Sequence, residues 1–92
     1  MAKVYRVNGN VDDVQPKNGK TYELEELYEM LGCQWIELVY LSDGIMVIDE
    51  EGKLNGKQYN EKANAIATMD HAICYGDYIV GDALVCENNE IR

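Results

Sequence analysis

Phenylalanine is absent from this 92-residue chain, and proline, serine, histidine and tryptophan occur once each. Acyl transfer needs a nucleophile beside a base. The chain offers one serine, Ser42, which sits in a turn, and one histidine, His71, so the expectation is a protein that is not an enzyme. Cysteine is also sparse. Cys33, Cys74 and Cys86 form neither a CxxC pair nor an even-numbered framework, which argues against a disulfide scaffold and for buried thiols. His71, Cys74 and Cys86 fall short of the four ligands of a structural zinc site, so no metal or other cofactor is expected. Asp49, Glu50 and Glu51 can be read as a Mg2+ site for a substrate phosphate or as a solvated turn. Basic residues number 8 against 17 acidic ones, a formal charge of −9 that repels nucleic-acid backbones and anionic lipid surfaces. No apolar run approaches the ~20 residues of a membrane span, and the N-terminal segment MAKVYRVNGN lacks the apolar core of a signal peptide. A cytoplasmic protein with no membrane and no direct nucleic-acid partner is the expectation.

What is present is apolar and periodic. Hydrophobic residues make up 47% of the chain, enough for one domain over residues 1–92. Trp35–Leu41 and Ile45–Ile48 flank Ser42, Asp43 and Gly44, the pattern of an antiparallel hairpin, which is placed at the middle of a sheet. Strand side chains alternate, so Ile36, Leu38 and Tyr40 share one face while Trp35, Glu37, Val39 and Leu41 share the other. Two apolar faces in so short a chain predict a homo-oligomer, with the face bearing Val39 and Leu41 covered by a second copy.

In chain order, Lys3–Val7 reads as a strand, Asn8-Gly9 as a turn and Val11–Val14 as the return strand of an edge hairpin. Leu24, Leu27, Tyr28 and Leu31 recur at helical spacing within Glu23–Leu31, and Gly32 is placed to stop that helix. Asn60 is a natural N-cap for a second helix from Glu61, which ends between Asp70 and Tyr75 and offers Ala63, Ile66, Ala67, Met69 and Ile73 to a sheet. Tyr78–Cys86 reads as the last strand, bent at Gly81-Asp82. The fold class is therefore α+β: one antiparallel sheet with two helices packed mainly on one face.

The succession WIELVYLSDG, IMVIDEEGKLNG, Tyr59-Asn60 opening a helix and GDYIVGDALVC resembles the small DUF3846 domains of bacteria, phages and other mobile elements. The resemblance runs from the N-terminal strand to Cys86. Its most specific part is Glu50–Gly56 with Asn60 four residues on. Where family patterns commonly have an apolar residue before the helix, this chain has Lys57 and Tyr59 around Gln58. The resemblance implies a compact intracellular protein in a setting where counter-defence is a recurrent task, and it does not supply a catalytic site.

Charge is unevenly distributed. Residues 53–62 carry Lys53, Lys57 and Lys62 against Glu61, whereas residues 12–51 carry eleven acids against Lys17 and Lys20. The lysines coincide with Gly56 and with the start of the second helix, whose free amides favour anions. Lys53, Asn55, Gly56, Lys57, Tyr59, Asn60 and Tyr75 are the candidate ligand-binding residues, the tyrosines offering stacking faces to a base. A small phosphorylated, nucleotide-like molecule suits this pattern. The other reading of the same loop is lysines solvated at a surface. In function, a protein that sequesters a phosphorylated nucleotide-type signal competes with an acidic interaction factor whose carboxylates imitate DNA phosphates. Dispersal of the acids over a helix, two turns and the last strand favours the former.

Overall fold

The computed structural model describes residues 2–91. β1 (Ala2–Tyr5) and β2 (Val11–Val14) precede α1 (Leu24–Leu31). After it come β3 (Ile36–Tyr40), β4 (Ile45–Asp49), α2 (Glu61–Met69), β5 (Ala83–Cys86) and a 3-10 turn at Asn88–Glu90. The strands form one antiparallel sheet in the order β2-β1-β5-β4-β3. The hairpin β3–β4 thus lies at one side, with β3 at the edge. The centre belongs to β5 and not, as expected, to the hairpin, because β5 pairs on both sides: Val4 pairs Leu84 on one flank and Val47 pairs Leu84 on the other.

Antiparallel sheet, two helices and a single compact α+β unit are as expected, but the helices lie on opposite faces rather than mainly on one. β4 shows why. Ile45 and Val47 pack with Leu27 and Leu31 of α1, together with Ala2, Val4 and Leu84. The alternate residues Met46 and Ile48 pack with Ala63 and Ala67 of α2, together with Val39, Ile79 and Ala83. All five β4 residues are buried, so the strand has no solvent face to give away. The argument for a partner over Val39 is thereby removed, since Val39 is covered by α2 and its C-terminal extension.

Local chemistry accounts for the helix limits. Glu23 caps α1 in a reciprocal box in which Glu26 Oε1 accepts the Glu23 N–H at 2.8 Å, and Gly32 stops the helix in the left-handed region at φ 63°. Leu24, the first of the apolar residues at helical spacing, is exposed at the start of α1. α2 begins at Glu61 as expected but ends at Met69, before the expected range; His71 takes φ 54°, and Ala72 and Ile73 continue over the sheet as irregular chain. The last strand is likewise shorter than Tyr78–Cys86. Ile79 and Val80 are buried, but only Ala83–Cys86 joins the main ladder, because the chain turns at Gly81, φ 78°. Among the described residues no helix is long and apolar enough to cross a membrane. Of the thiols, Cys86 is buried, Cys33 half-buried and Cys74 exposed, so the expectation of three buried cysteines fails at Cys74.

Candidate functional site

The Lys-rich loop is a compact series of turns. Gly52 N–H bonds Asp49 O, Asn55 N–H bonds Glu51 O, and Lys57 N–H returns to Gly52 O, all within 3.0–3.2 Å. A side chain at Gly52 would come within 2.9 Å of Val80 Cγ2, so this glycine serves close packing of the loop on the last segment. Gly56 has φ 67° and open space around it. Its role is to turn the chain.

Lys57 is directed inward. Its ammonium lies 2.8 Å from Asp49 Oδ2 and donates to Gly32 O at 2.9 Å and Leu31 O at 3.2 Å. It therefore neutralises a carboxylate that is nearly fully buried and supplies a cation to the C-terminus of α1, where carbonyls lack helical partners. Its side-chain methylenes lie against Gly81, where an added Cβ would approach Lys57 Cδ to 2.9 Å. Asn60 is equally committed. It is 0% exposed, accepts the Ala63 N–H at 3.0 Å and donates to Tyr5 O at 2.8 Å and Gly81 O at 2.9 Å. One amide thus joins α2, β1 and the approach to β5.

Lys53 sits on another side of the loop, paired with Asp77 and 4.4 Å from the centroid of the Tyr78 ring. That contact raises the Lys53 pKa, chiefly through the hydrogen bond to Asp77, and the same bond lowers the carboxyl of Asp77. Tyr59 stacks on Tyr78 with centroids 6.3 Å apart. Asn55 and Tyr75 are exposed, Tyr75 completely. The seven sequence-predicted residues are thus not gathered into one seat. Lys57 and Asn60 turn into the fold, Lys53 and Tyr59 flank Tyr78, and Asn55, Gly56 and Tyr75 lie at the periphery.

Lys53 and Tyr59 each line a concavity, and a third concavity lies beside α1. A cleft of about 380 Å3 between β3–β4 and the chain after α2 contains Lys53 together with Glu37, Asp49, Glu50 and Asp77, a setting that repels anions. An apolar groove of about 450 Å3 beside α1 is lined by Leu24, Leu27, Ile36, Leu38 and Ile91, with Glu23 and Glu25 at its rim. The third, about 510 Å3, opens at the start of α2 between Arg6, Asn8 and Gly9 of the first hairpin turn and Gln58, Tyr59, Glu61 and Lys62. Basic side chains outnumber acidic ones in its wall. Lys62 donates to Gly9 O at 2.7 Å, and Arg6 bonds Asp12, Asp82 and Met30 O at 2.9 Å each. Of the sequence-predicted residues only Tyr59 lines it. Arg6, Asn8, Gln58 and Lys62 are additions. Lys62 was visible in the local charge excess, whereas nothing in the sequence brought the Asn8-Gly9 turn to this helix.

A family model described as "Domain of unknown function (DUF3846)" matches residues 3–91. No curated protein and no solved structure matches the chain.

Proposed function

Starting from a chain that belongs to the DUF3846 family, a domain of unknown function, we propose a small non-enzymatic binding protein that sequesters a phosphate-bearing, nucleotide-type ligand at the start of α2. The observation that carries this reading is the 510 Å3 concavity walled by Arg6, Gln58, Tyr59 and Lys62. Its size is that of an ordinary small-ligand site. Lys62 reaches a phosphate by exchanging the Gly9 carbonyl for a charged acceptor, a stronger hydrogen bond. Tyr59 is 55% exposed and offers a ring face to a base. Arg6 holds the opposite wall through its own ion pairs. The anionic remainder of the surface disfavours long polyanions while leaving a compact anion room at this site. In the mobile-element setting that the resemblance implies, a ligand of this class would be a host defence signal.

Calorimetry against cyclic dinucleotides and ADP-ribose derivatives tests the reading. Lys62→Ala and Tyr59→Ala should each weaken binding by about 1 to 2 kcal/mol, and Lys53→Ala, across the loop in the acidic cleft, should leave it unchanged. Binding should weaken with salt, less steeply than for a DNA-binding protein. If no member of the panel binds below about 100 micromolar, equivalent to ~5.5 kcal/mol, the acidic interaction factor becomes the better account, supported by the formal charge of −9.

A further inference from the structure

The two edges of the sheet are built differently. β2 reads Val-Asp-Asp-Val, and its adjacent carboxylates are exposed, Asp12 paired with Arg6 and Asp13 with Lys3. Like charges would meet if a second strand approached there, a standard protection of an edge. β3 reads Ile-Glu-Leu-Val-Tyr and pairs with β4 without a break over five residues. It has no lysine, proline or bulge. The register leaves one set of backbone groups unused: Leu41 N–H bonds Gly44 O and Glu50 N–H bonds Trp35 O, so odd-numbered residues face β4. The N–H and C=O groups of Ile36, Leu38 and Tyr40 therefore point away from the sheet. No described residue bonds to them.

We propose that β3 pairs antiparallel with β3 of a second copy, giving one continuous sheet through a two-fold axis at Leu38. The occupant follows from the strand's own pattern. Centred on Leu38, the pairing sets Ile36 against the partner copy's Tyr40 and Trp35 against its Leu41, so every outward amide and carbonyl finds its counterpart. Ile36, Leu38 and Tyr40 point to the α1 side, where the groove lined by Leu24, Ile36, Leu38 and Ile91 adjoins the edge. Trp35, Tyr40 and Leu24 are 56%, 69% and 51% exposed, and the pairing covers this apolar fringe. The one acid of the strand, Glu37, falls opposite Val39 rather than opposite its twin. Main-chain bonds supply the affinity and the flanking groove the fit. The interface is separate from the proposed ligand site, so either reading stands without the other.

Analytical ultracentrifugation from about 1 to 100 micromolar tests the proposal together with amide hydrogen exchange. A dimer is expected, and because each copy carries a charge of −9, it should tighten as salt rises through screening of the mutual repulsion. Tyr40→Pro removes an outward N–H that the protomer does not use, and should weaken dimerisation at least about tenfold without disturbing the β3–β4 ladder. Trp35→Lys, a charge placed at an exposed edge position, should act likewise. In the natural chain, the amides of Ile36, Leu38 and Tyr40 should be protected at high concentration and lose protection on dilution, while those of Glu37 and Val39 stay protected throughout. This contrast separates loss of pairing from loss of fold even if a variant fails to fold. A monomer at 100 micromolar overturns the proposal. So does a dimer whose outward β3 amides exchange freely, or one that requires a different protein's strand.

Discussion

The two layers that cover the sheet are held by different forces. On the α1 side, Leu27 and Leu31 enter a predominantly apolar cluster with Val4, Val47 and Leu84, and stability comes from area removed from water. On the α2 side, the helix offers Ala63 and Ala67, which bring backbone close but bury little side chain, and amides complete the attachment. Asn60 reaches Tyr5 O and Gly81 O. Asn64 donates to Asn60 O and Ile79 O at 2.7 Å and accepts the Ile79 N–H at 2.8 Å. The apolar layer tolerates neighbours of similar shape. The amide layer is directional, and a buried partner left without its bond is expensive. Both the acidic cleft and the proposed ligand concavity border segments that this amide layer fixes.

Substitution should separate the two. Asn60→Ala strands the carbonyls of Tyr5 and Gly81 and the amide of Ala63, with an expected loss of about 4 kcal/mol from unsatisfied buried groups; a urea midpoint close to that of the natural chain would contradict the directional account. Leu27→Ala, 2% exposed in the natural chain, should lose about 3 kcal/mol as a cavity and transfer effect. Leu27→Met should lose less than about 1.5 kcal/mol, since volume is kept. Asn60→Asp, similarly shaped, should find no such tolerance, because it buries a charge and two donors are gone. Lys57→Met should cost about 2 kcal/mol by leaving Asp49 unpaired, less than for a fully enclosed pair because the lysine is partly exposed.

The smallest effect at neutral pH, and one confined to the α1 layer, is titration. Burial is the main cause that pushes the Cys86 thiol and the Tyr22 hydroxyl each up to about 12, from ordinary values of 9.0 and 10.0, with Glu90 adding to both. The folded protein thus keeps these protons after the unfolded chain releases them. The contribution of these two groups to stability should be constant below their ordinary values, fall as pH rises from about 9 and become constant again above about 12. Urea midpoints at pH 8, 10 and 11 check the sign; a midpoint that rises over this interval would be incompatible with it.

Much of the fold was legible in local chemistry. Asn8-Gly9 and Asp43-Gly44 marked both hairpins, Leu24 to Leu31 with Gly32 marked α1, and Asn60 marked the start of α2. Strand order was not legible, because pairing of β5 with β1 and β4 depends on contacts distant in sequence. The sidedness of the helices was readable in principle: Met46 and Ile48 alternate with Ile45 and Val47, which says that two faces need cover. Assigning one face to another copy overlooked how thin a layer of Ala63 and Ala67 suffices. The loop lysines show the limit of local charge counting. Lys57 belongs to Asp49 and to the end of α1, partners that a window over residues 53–62 does not contain. Lys62 remains at the proposed site because its neighbours, Tyr59 and the Asn8-Gly9 turn, leave the space beside it open.

The central position of β5 bears on how the chain reaches this state. The hairpins β1–β2 and β3–β4 are each local and can close early, but within the sheet neither pairs with the other, because residues 83–86 lie between them. The two halves must therefore wait, each with an uncovered inner edge, for a segment that follows both in the chain. Lys3 meets Val85 only across nearly the whole sequence, and closing so long a loop is slow relative to hairpin formation. During synthesis, the inner edges of β1 and β4 are open templates until β5 has left the ribosome. This interval, rather than the finished fold, is when the protein is most exposed to mispairing with its own copies.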